Sequence, residues 1–369
     1  MPLRIGVNAL YLVPGGVGGT EIYLRSLLAA LAEIDRHNRY FVFTNRETGA
    51  DLVPAQANFT LAPQAVRAVH RPARILWEQT VLPLAAARRR LDVLFNPGFT
   101  APILCGCPQV TVFHDLQHKR HPEYFRWYDL PFWNFFLFWS VTVSQRIVAI
   151  SGATADDLRR FYRLPPERIR TVLMGVDPLC FALAARRRPE PFILAVSTLH
   201  PHKNLDGLLR AFALFGERHP EYRLVVSGMH GFFSDELHAL RDGLRLADRV
   251  EFPGWVPREE LYSLYARATA FLYPSLFEGF GLPLLEALAA GVPTACSDIE
   301  PMSSIAGTAA LKFDPRDPAA IAEVIERLVT DGELQERLAA AGPLRAAQFS
   351  WRTTAEGILD ALRGVSGQT

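Results

Sequence analysis

Four cysteines and four methionines are all that 369 residues contain, and neither sign of charge is in excess, with 39 Lys and Arg against 38 Asp and Glu. A formal charge of +1 gives no global attraction to nucleic acid. The cysteines fall at 105, 107, 180 and 296, and the one close pair, Cys105 and Cys107, is spaced too tightly for the usual zinc knuckle. Reduced thiols in a cytoplasmic protein are expected, with no metal. Internal repeats and low-complexity tracts are missing, and so is a long hydrophobic run. The most apolar stretch, "LPFWNFFLFWSVTV" from Leu130 to Val143, is shorter than the ~20 residues that span a bilayer and is broken by Asn134 and Ser140. It reads as a buried aromatic helix or, as the sharper alternative, as a face dipping into a membrane interface. The opening "MPLRIGVNALYLVPGG" lacks an apolar core followed by a small-residue cleavage site, so secretion is not expected.

What is present is an ordinary globular composition, 49% apolar and 21% charged. The length suggests two domains of roughly 150 to 200 residues each. Short β-branched runs alternate with helical patterns, the sign of parallel sheets built from strand-helix units. The clearest strands are "LRIGVNAL", "YFVFTN", "QVTVF", "RIVAIS", "FILAVSTL", "YRLVVSG" and "TAFLYPS". Between them, Leu24, Leu27, Leu28, Leu31 and Ile34 recur at helical spacing, as do Leu205, Leu208, Leu209, Phe212 and Phe215. The composition shifts at "FALAARRRPEPF", residues 181–192, which predicts an N-terminal domain over 1–185 and a second over 190–345. Residues 346–369 carry one apolar stripe and are expected to form a helix that crosses back to the first domain.

Ligands of open parallel sheets bind beyond the carboxyl ends of the strands, where loops lead into helix N-termini. Each unusual cluster lies at such an end: "PGGVGGTE" after the first strand, His114-Asp115 after "VTVF", "HPHKN" after "FILAVSTL", and "FEGFGLPLLEALAAG" after "TAFLYPS". The glycine loop at 15–19 lets a phosphate or sugar approach bare backbone, or is no more than a tight turn. It is not a dinucleotide fingerprint, because Glu21 stands where that pattern requires its third glycine. Lys203 precedes Asn204 and a helix start, so a cation and unpaired amides share one spot suited to a diphosphate. Glu278 and Glu286 flank a second helix start at Pro283, with Gly279 and Gly281 leaving backbone bare between them. Both are either capping acids or hydroxyl acceptors, Glu286 with enough acceptor sites for two adjacent hydroxyls. A polyol carrying a diphosphate fits acids, amides and lysine together.

"EGFGLPLLE" resembles the Glu-x7-Glu motif of the retaining nucleotide-sugar glycosyltransferases of family 4, which have the GT-B fold of two Rossmann-like α/β domains facing a central cleft. "RILWEQTVLP", "VTVFHDLQHKRHPEYF", "IVAISGATADDLRRFY", "VLMGVDP", "STLHPHKNL", "PGWVPREELYSLYARATAFLYPSLFEGFGLP" and "FSWRTTA" extend the resemblance over nearly the whole chain, toward bacterial mannosyl- and rhamnosyltransferases. The resemblance implies that Glu286 binds the donor ribose, Glu278 contacts the donor sugar and Lys203 neutralises the diphosphate. It places the amides of Phe280, Gly281 and Leu282 at the sugar and phosphate, Val256 near the base, and Ser197, Thr198 and His202 in the donor loop. His114 would face the anomeric region, with Asp115 orienting it, and Gly18 and Gly19 would close the other wall. A histidine ending a buried strand can instead serve only backbone groups.

Two departures stand out: Thr198 and His202 occupy positions where the family commonly has an arginine, and Ser303 and Ser304 replace a common Pro-Glu pair. The implied reaction is transfer of a hexosyl group, from GDP-mannose or another nucleoside diphosphate sugar, to a hydroxyl of a glycan or polyprenyl-linked acceptor. It retains the anomeric configuration and requires neither metal nor cofactor. A GT-B epimerase or phosphorylase, or a non-catalytic sugar-nucleotide-binding protein, is the alternative. Peripheral contact at the inner membrane face is expected through the aromatic stretch and arginines 71, 74 and 88–90.

Overall fold

A computed structural model describes residues 2–16 and 18–367. Val17 of the glycine loop, Met1 and residues 368–369 lie outside the described residues. The chain divides into two compact units, 1–175 with 350–369, and 176–349.

The first unit holds a seven-stranded parallel sheet in the order β3-β2-β1-β4-β5-β6-β7. Its strands are β1 (Arg4–Asn8), β2 (Arg39–Thr44), β3 (Phe59–Pro63), β4 (Val93–Asn96), β5 (Gln109–Phe113), β6 (Arg146–Ala149) and β7 (Ile169–Thr171). Its helices include α1 (Gly19–Ile34), α2 (Arg71–Arg88), α3 (Gln117–Arg120), α4 (Leu130–Val143) and α5 (Gly152–Tyr162). The central strands β4 and β5 are buried along their whole length, as parallel strands covered on both faces must be.

The aromatic stretch is the helix α4, but it is not a wholly buried one. Leu137, Ser140 and Val141 alone in it are buried, Leu137 and Val141 in a cluster with Phe113, Ile147 and Leu158, while Phe135 and Phe138 are about half exposed. Arg71 lies over the rings of Phe132 and Trp133 at 4.8 and 4.4 Å. Arginines 88–90 do not join it, because they sit at the far end of the 18-residue α2, about 25 Å along its axis.

The second unit holds β8 (Glu190–Val196), β9 (Arg223–Ser227), β10 (Val250–Gly254), β11 (Ala268–Tyr273), β12 (Thr294–Ser297) and β13 (Leu311–Phe313). They form a parallel sheet ordered β10-β9-β8-β11-β12-β13. Its helices are α6 (Pro178–Ala184), α7 (Leu205–Gly216), α8 (Ser234–Gly243), α9 (Arg258–Arg267), α10 (Leu282–Ala289), α11 (Met302–Ala306), α12 (Pro318–Thr330) and α13 (Gly332–Ala346). Leu205, Leu208, Leu209, Phe212 and Phe215 of α7 pack with Ile321, Ile325 and Leu328 of α12 over strands β8, β9 and β11. Helix α10 is enclosed, buried at Leu282 and from Leu284 to Ala289, and packs against α13 and α6.

The boundary expected within 181–192 lies earlier, at 175/176. Helix α6 belongs to the second unit because it packs on α9, α10 and α13, and Arg187 just beyond it donates to the carbonyls of Tyr265 and Ala268 at 3.2 and 2.9 Å. The last helix, α14 (Trp351–Arg363), returns to the first unit and buries Trp351, Ala355, Ile358, Leu359 and Leu362, packing against α1. At the crossings the chain runs beside itself. The Val176 amide donates to the Phe349 carbonyl at 3.2 Å, and a Cβ on Gly175 would stand 2.2 Å from the Trp351 nitrogen, so only glycine fits there.

Candidate active site

In the second unit, the residues singled out from sequence gather beyond the carboxyl ends of β8 and β11. A short turn over Pro201–Lys203 follows β8 and ends at Asn204, whose left-handed backbone (φ 53°) redirects the chain into α7. The buried Asn204 amide donates to the carbonyls of Pro274 and Pro315 at 3.1 and 2.6 Å, and the Leu276 amide donates to the His202 carbonyl at 2.8 Å. These bonds fix the Lys203 turn to the loop after β11. There Lys203 Nζ donates to Glu278 Oε1 at 2.7 Å, and Ser275 Oγ donates to the same oxygen at 2.7 Å. Both members of the pair are nearly withdrawn from solvent, at 13% and 9% side-chain exposure, which strengthens their attraction.

Phe280 is buried, and Gly281 then caps α10 at φ 110°, a conformation that favours glycine. Glu286 is five residues into α10 and 4% exposed. It does not share Glu278's partners. Arg258 Nη2 donates to Glu286 Oε1 and the Tyr265 hydroxyl to Oε2, each at 3.2 Å. Tyr273, buried at the end of β11, has its hydroxyl pKa pushed well up by burial and by the charges of both acids. Burial pushes the Glu286 carboxyl above its usual range, and Arg258 and the Tyr265 hydrogen bond oppose that push. Ser197 and Thr198 are half-buried after β8, with the Ser197 amide donating to the Ser227 carbonyl at 2.9 Å. The His202 ring stacks on His200, centroids 5.8 Å apart, and Val256 is half-buried between β10 and α9. Ser303 and Ser304 lie in α11, where their hydroxyls donate to Asp298 and Glu300.

In the first unit, His114 follows β5 and is 6% exposed. Its Nε2 donates to the Pro97 carbonyl at 2.8 Å, and Tyr23 and Phe99 pack on the ring at 4.9 and 5.1 Å. Burial drives its pKa down to about 4, so the imidazole is neutral near pH 7. Asp115 Oδ1 accepts the Gln117 amide at 2.9 Å, closing the turn into α3. Gly18 (φ 57°) is the N-cap of α1 and Gly19 its first residue, while Glu21 folds back to accept the Gly15 amide at 2.8 Å.

The two family descriptions that fit the chain are "Glycosyl transferases group 1" over residues 184–345 and "Glycosyltransferase Family 4" over 17–178. The O-antigen chain mannosyltransferase B of Escherichia coli is 30% identical over 336 residues, 87% of this chain and 81% of that protein. The chain belongs to the family 4 glycosyltransferases. The D-inositol 3-phosphate glycosyltransferase of Thermobifida fusca is 34% identical over 242 residues, 60% of this chain and 56% of that one. Sucrose-phosphate synthase from Thermosynechococcus elongatus superposes over the full length of both chains with a TM-score of 0.80 at 20% identity. The two all-parallel α/β units of this glycosyltransferase are the GT-B fold.

Sequence reading missed the residues that surround Glu286 in the candidate site. Asp177 caps α6 through the Leu179 amide at 2.9 Å and accepts Arg258 Nη2 at 2.7 Å and the Tyr262 hydroxyl at 2.5 Å. Asp before Pro178 is a helix-start signal, and Pro257 before Arg258 is another, but neither discloses a partner 81 positions away. Burial works against the Arg258 charge, yet Glu286, Tyr262 and Asp177 together hold the guanidinium above its ordinary range. Asn204 and Ser275 were also missed, since both read as ordinary loop residues.

Proposed function

We propose that this glycosyltransferase moves a mannosyl group from GDP-mannose to a hydroxyl of a glycan or polyprenyl-linked acceptor, with retention at the anomeric carbon and without a divalent cation. The observation that carries the reading is Lys203 held at 2.7 Å to Glu278 beside the glycine-capped start of α10, with Glu286 buried in the same helix. Lys203 and the amides of Phe280, Gly281 and Leu282 supply positive charge where the diphosphate leaves, the role a metal plays elsewhere. Glu286 takes the ribose hydroxyls and Glu278 the donor sugar. His114, buried, neutral near pH 7 and hydrogen-bonded through Nε2, has no part in this reading as a proton donor. The donor phosphate receives the acceptor's proton on the face from which it departs. The choice of mannose rests on the likeness to the Escherichia coli mannosyltransferase.

Thermal melts with GDP-mannose, UDP-glucose and dTDP-rhamnose test the donor, because a ligand at 100 times its Kd stabilises the native state by about 2.7 kcal/mol. Stabilisation by the UDP or dTDP sugar and not by GDP-mannose rejects the donor. Transfer to an added acceptor, followed by assignment of the product anomer, tests retention, and a rate lost in EDTA and restored by Mg²⁺ rejects metal independence. The exposed Phe135 and Phe138 of α4, with Trp127 and Tyr128 before it and Arg71 and Arg126 beside the rings, favour a second reading. The first unit rests on an anionic lipid surface that presents the acceptor. Absence from the pellet with anionic liposomes at low salt counts against it.

A further inference from the structure

The carboxylate at Glu286 is the most deeply placed acid of the candidate site, and its setting is unusual. It lies in a helix that is otherwise apolar and enclosed, and the one guanidinium hydrogen-bonded to it is shared with a second acid. Arg258, the first residue of α9, gives Nη2 both to Asp177 Oδ2 at 2.7 Å and to Glu286 Oε1 at 3.2 Å, and its Nε reaches Asp177 Oδ2 at 3.1 Å and the Tyr262 hydroxyl at 2.7 Å. Tyr262 closes the arrangement by donating to Asp177 Oδ2. The guanidinium is thus clamped on one side by Asp177 and Tyr262, with its remaining reach directed at Glu286.

We propose that Arg258 is a positioning residue for sugar-nucleotide binding: clamped by Asp177 and Tyr262, it holds Oε1 of Glu286 and so presents the carboxylate to the donor ribose. This deepens the assignment of Glu286 to the ribose and rests on it. A carboxylate buried without a cation takes up a proton and then loses acceptor capacity for a vicinal diol. The groups facing Glu286 are Arg258 and Tyr265 from α9, Asp177 before α6, Cys180 within it, and Tyr273 from β11. Arg258 alone among them is a cation. Asp177 acts on Glu286 in two opposed ways, fixing the guanidinium and adding a like charge that disfavours ionisation.

That opposition gives a test that a purely structural role does not pass. The affinity for GDP-mannose and UDP-glucose is measured by calorimetry between about pH 5.5 and 8.5, on the wild type, Glu286→Ala, Arg258→Gln, Arg258→Lys and Asp177→Asn, with thermal melts of each. Arg258→Gln is expected to weaken binding about tenfold at the acid end and much less at the alkaline end, moving the acid limb to higher pH. Arg258→Lys recovers most of that loss. Asp177→Asn, which keeps an acceptor for the Leu179 amide, moves the limb the other way, to lower pH. Limbs that stay where the wild type has them, or move together in step with lost stability, overturn the inference while Glu286→Ala still weakens binding. Where Arg258→Gln does not fold, the sign of the Asp177→Asn shift decides. If Glu286→Ala binds as the wild type does, or the wild type binds neither sugar nucleotide, the ribose assignment falls and this inference with it.

Discussion

Glu278 and Glu286 differ by their partners, and the difference predicts their kinetics. Glu286 sits among Arg258 and Tyr265 and is assigned to ribose, a contact of equal strength in ground and transition states. Glu286→Ala is therefore expected to raise the donor KM about 10- to 100-fold with a smaller effect on kcat. Glu278 shares its oxygen with Lys203 and Ser275 and is proposed to contact the donor sugar. Glu278→Ala is expected mainly to lower kcat, and to lower the melting temperature as well, because Lys203 is left with little solvent and no carboxylate. Steady-state kinetics beside melts separate the two; parallel losses of stability with full activity per folded molecule mean that the acids only cap α10. His114 makes a prediction about pH. Its folded pKa of about 4 lies below the ordinary 6.5, so the unfolded chain binds the extra proton between those values. Its contribution is fully present above about pH 6.5 and fades as pH falls toward 4, by on the order of 3 kcal/mol. A pH series of denaturant melts that is equally steep in His114→Phe counts against this.

Helix α14 is the element whose removal is most informative. It buries Ile358 completely, along with Trp351, Ala355 and Leu362, in the first unit. Ile358→Ala is expected to cost about 2–4 kcal/mol, read as a lower denaturation midpoint, with sugar-nucleotide affinity unchanged. Loss of affinity in step with the melt contradicts it. This helix was legible from its apolar stripe, as were α1, α7 and the seven strands with long β-branched runs. Six strands were not read, among them all four sheet edges, β3, β7, β10 and β13. Edge strands β3 and β10 contain Pro63 and Pro253, which signal an interruption in sequence yet are tolerated at an edge. Strands β7 and β13 span only three residues. At the site, Glu278 and Glu286 stood out because charge is rare in such apolar surroundings, and Lys203 because it precedes a helix start beyond a strand end. Arg258 did not, since an arginine in "VPREELY" reads as part of a solvated helix face until the fold brings Asp177 and Glu286 to it.

The chain enters the second unit once and leaves it once, with the two passages hydrogen-bonded through Val176 and Phe349. Residues 176–349 have adjoining ends, a core of their own around Phe212, Phe215, Ile321 and Leu328, and the lysine, both acids and the α10 amides proposed to hold the sugar nucleotide. Expressed alone, this segment is expected to melt cooperatively and to bind the donor within about tenfold of the full chain. A fragment without a cooperative transition refutes the prediction. The first unit has no such independence, since its α14 is encoded after the whole of the other. On the ribosome the seven-stranded sheet is made early, but the helix that covers α1 emerges only once 176–349 has been translated. The nascent chain must therefore carry an uncovered α1 while residues 35–350 are made, and the unit begun first is finished after the other.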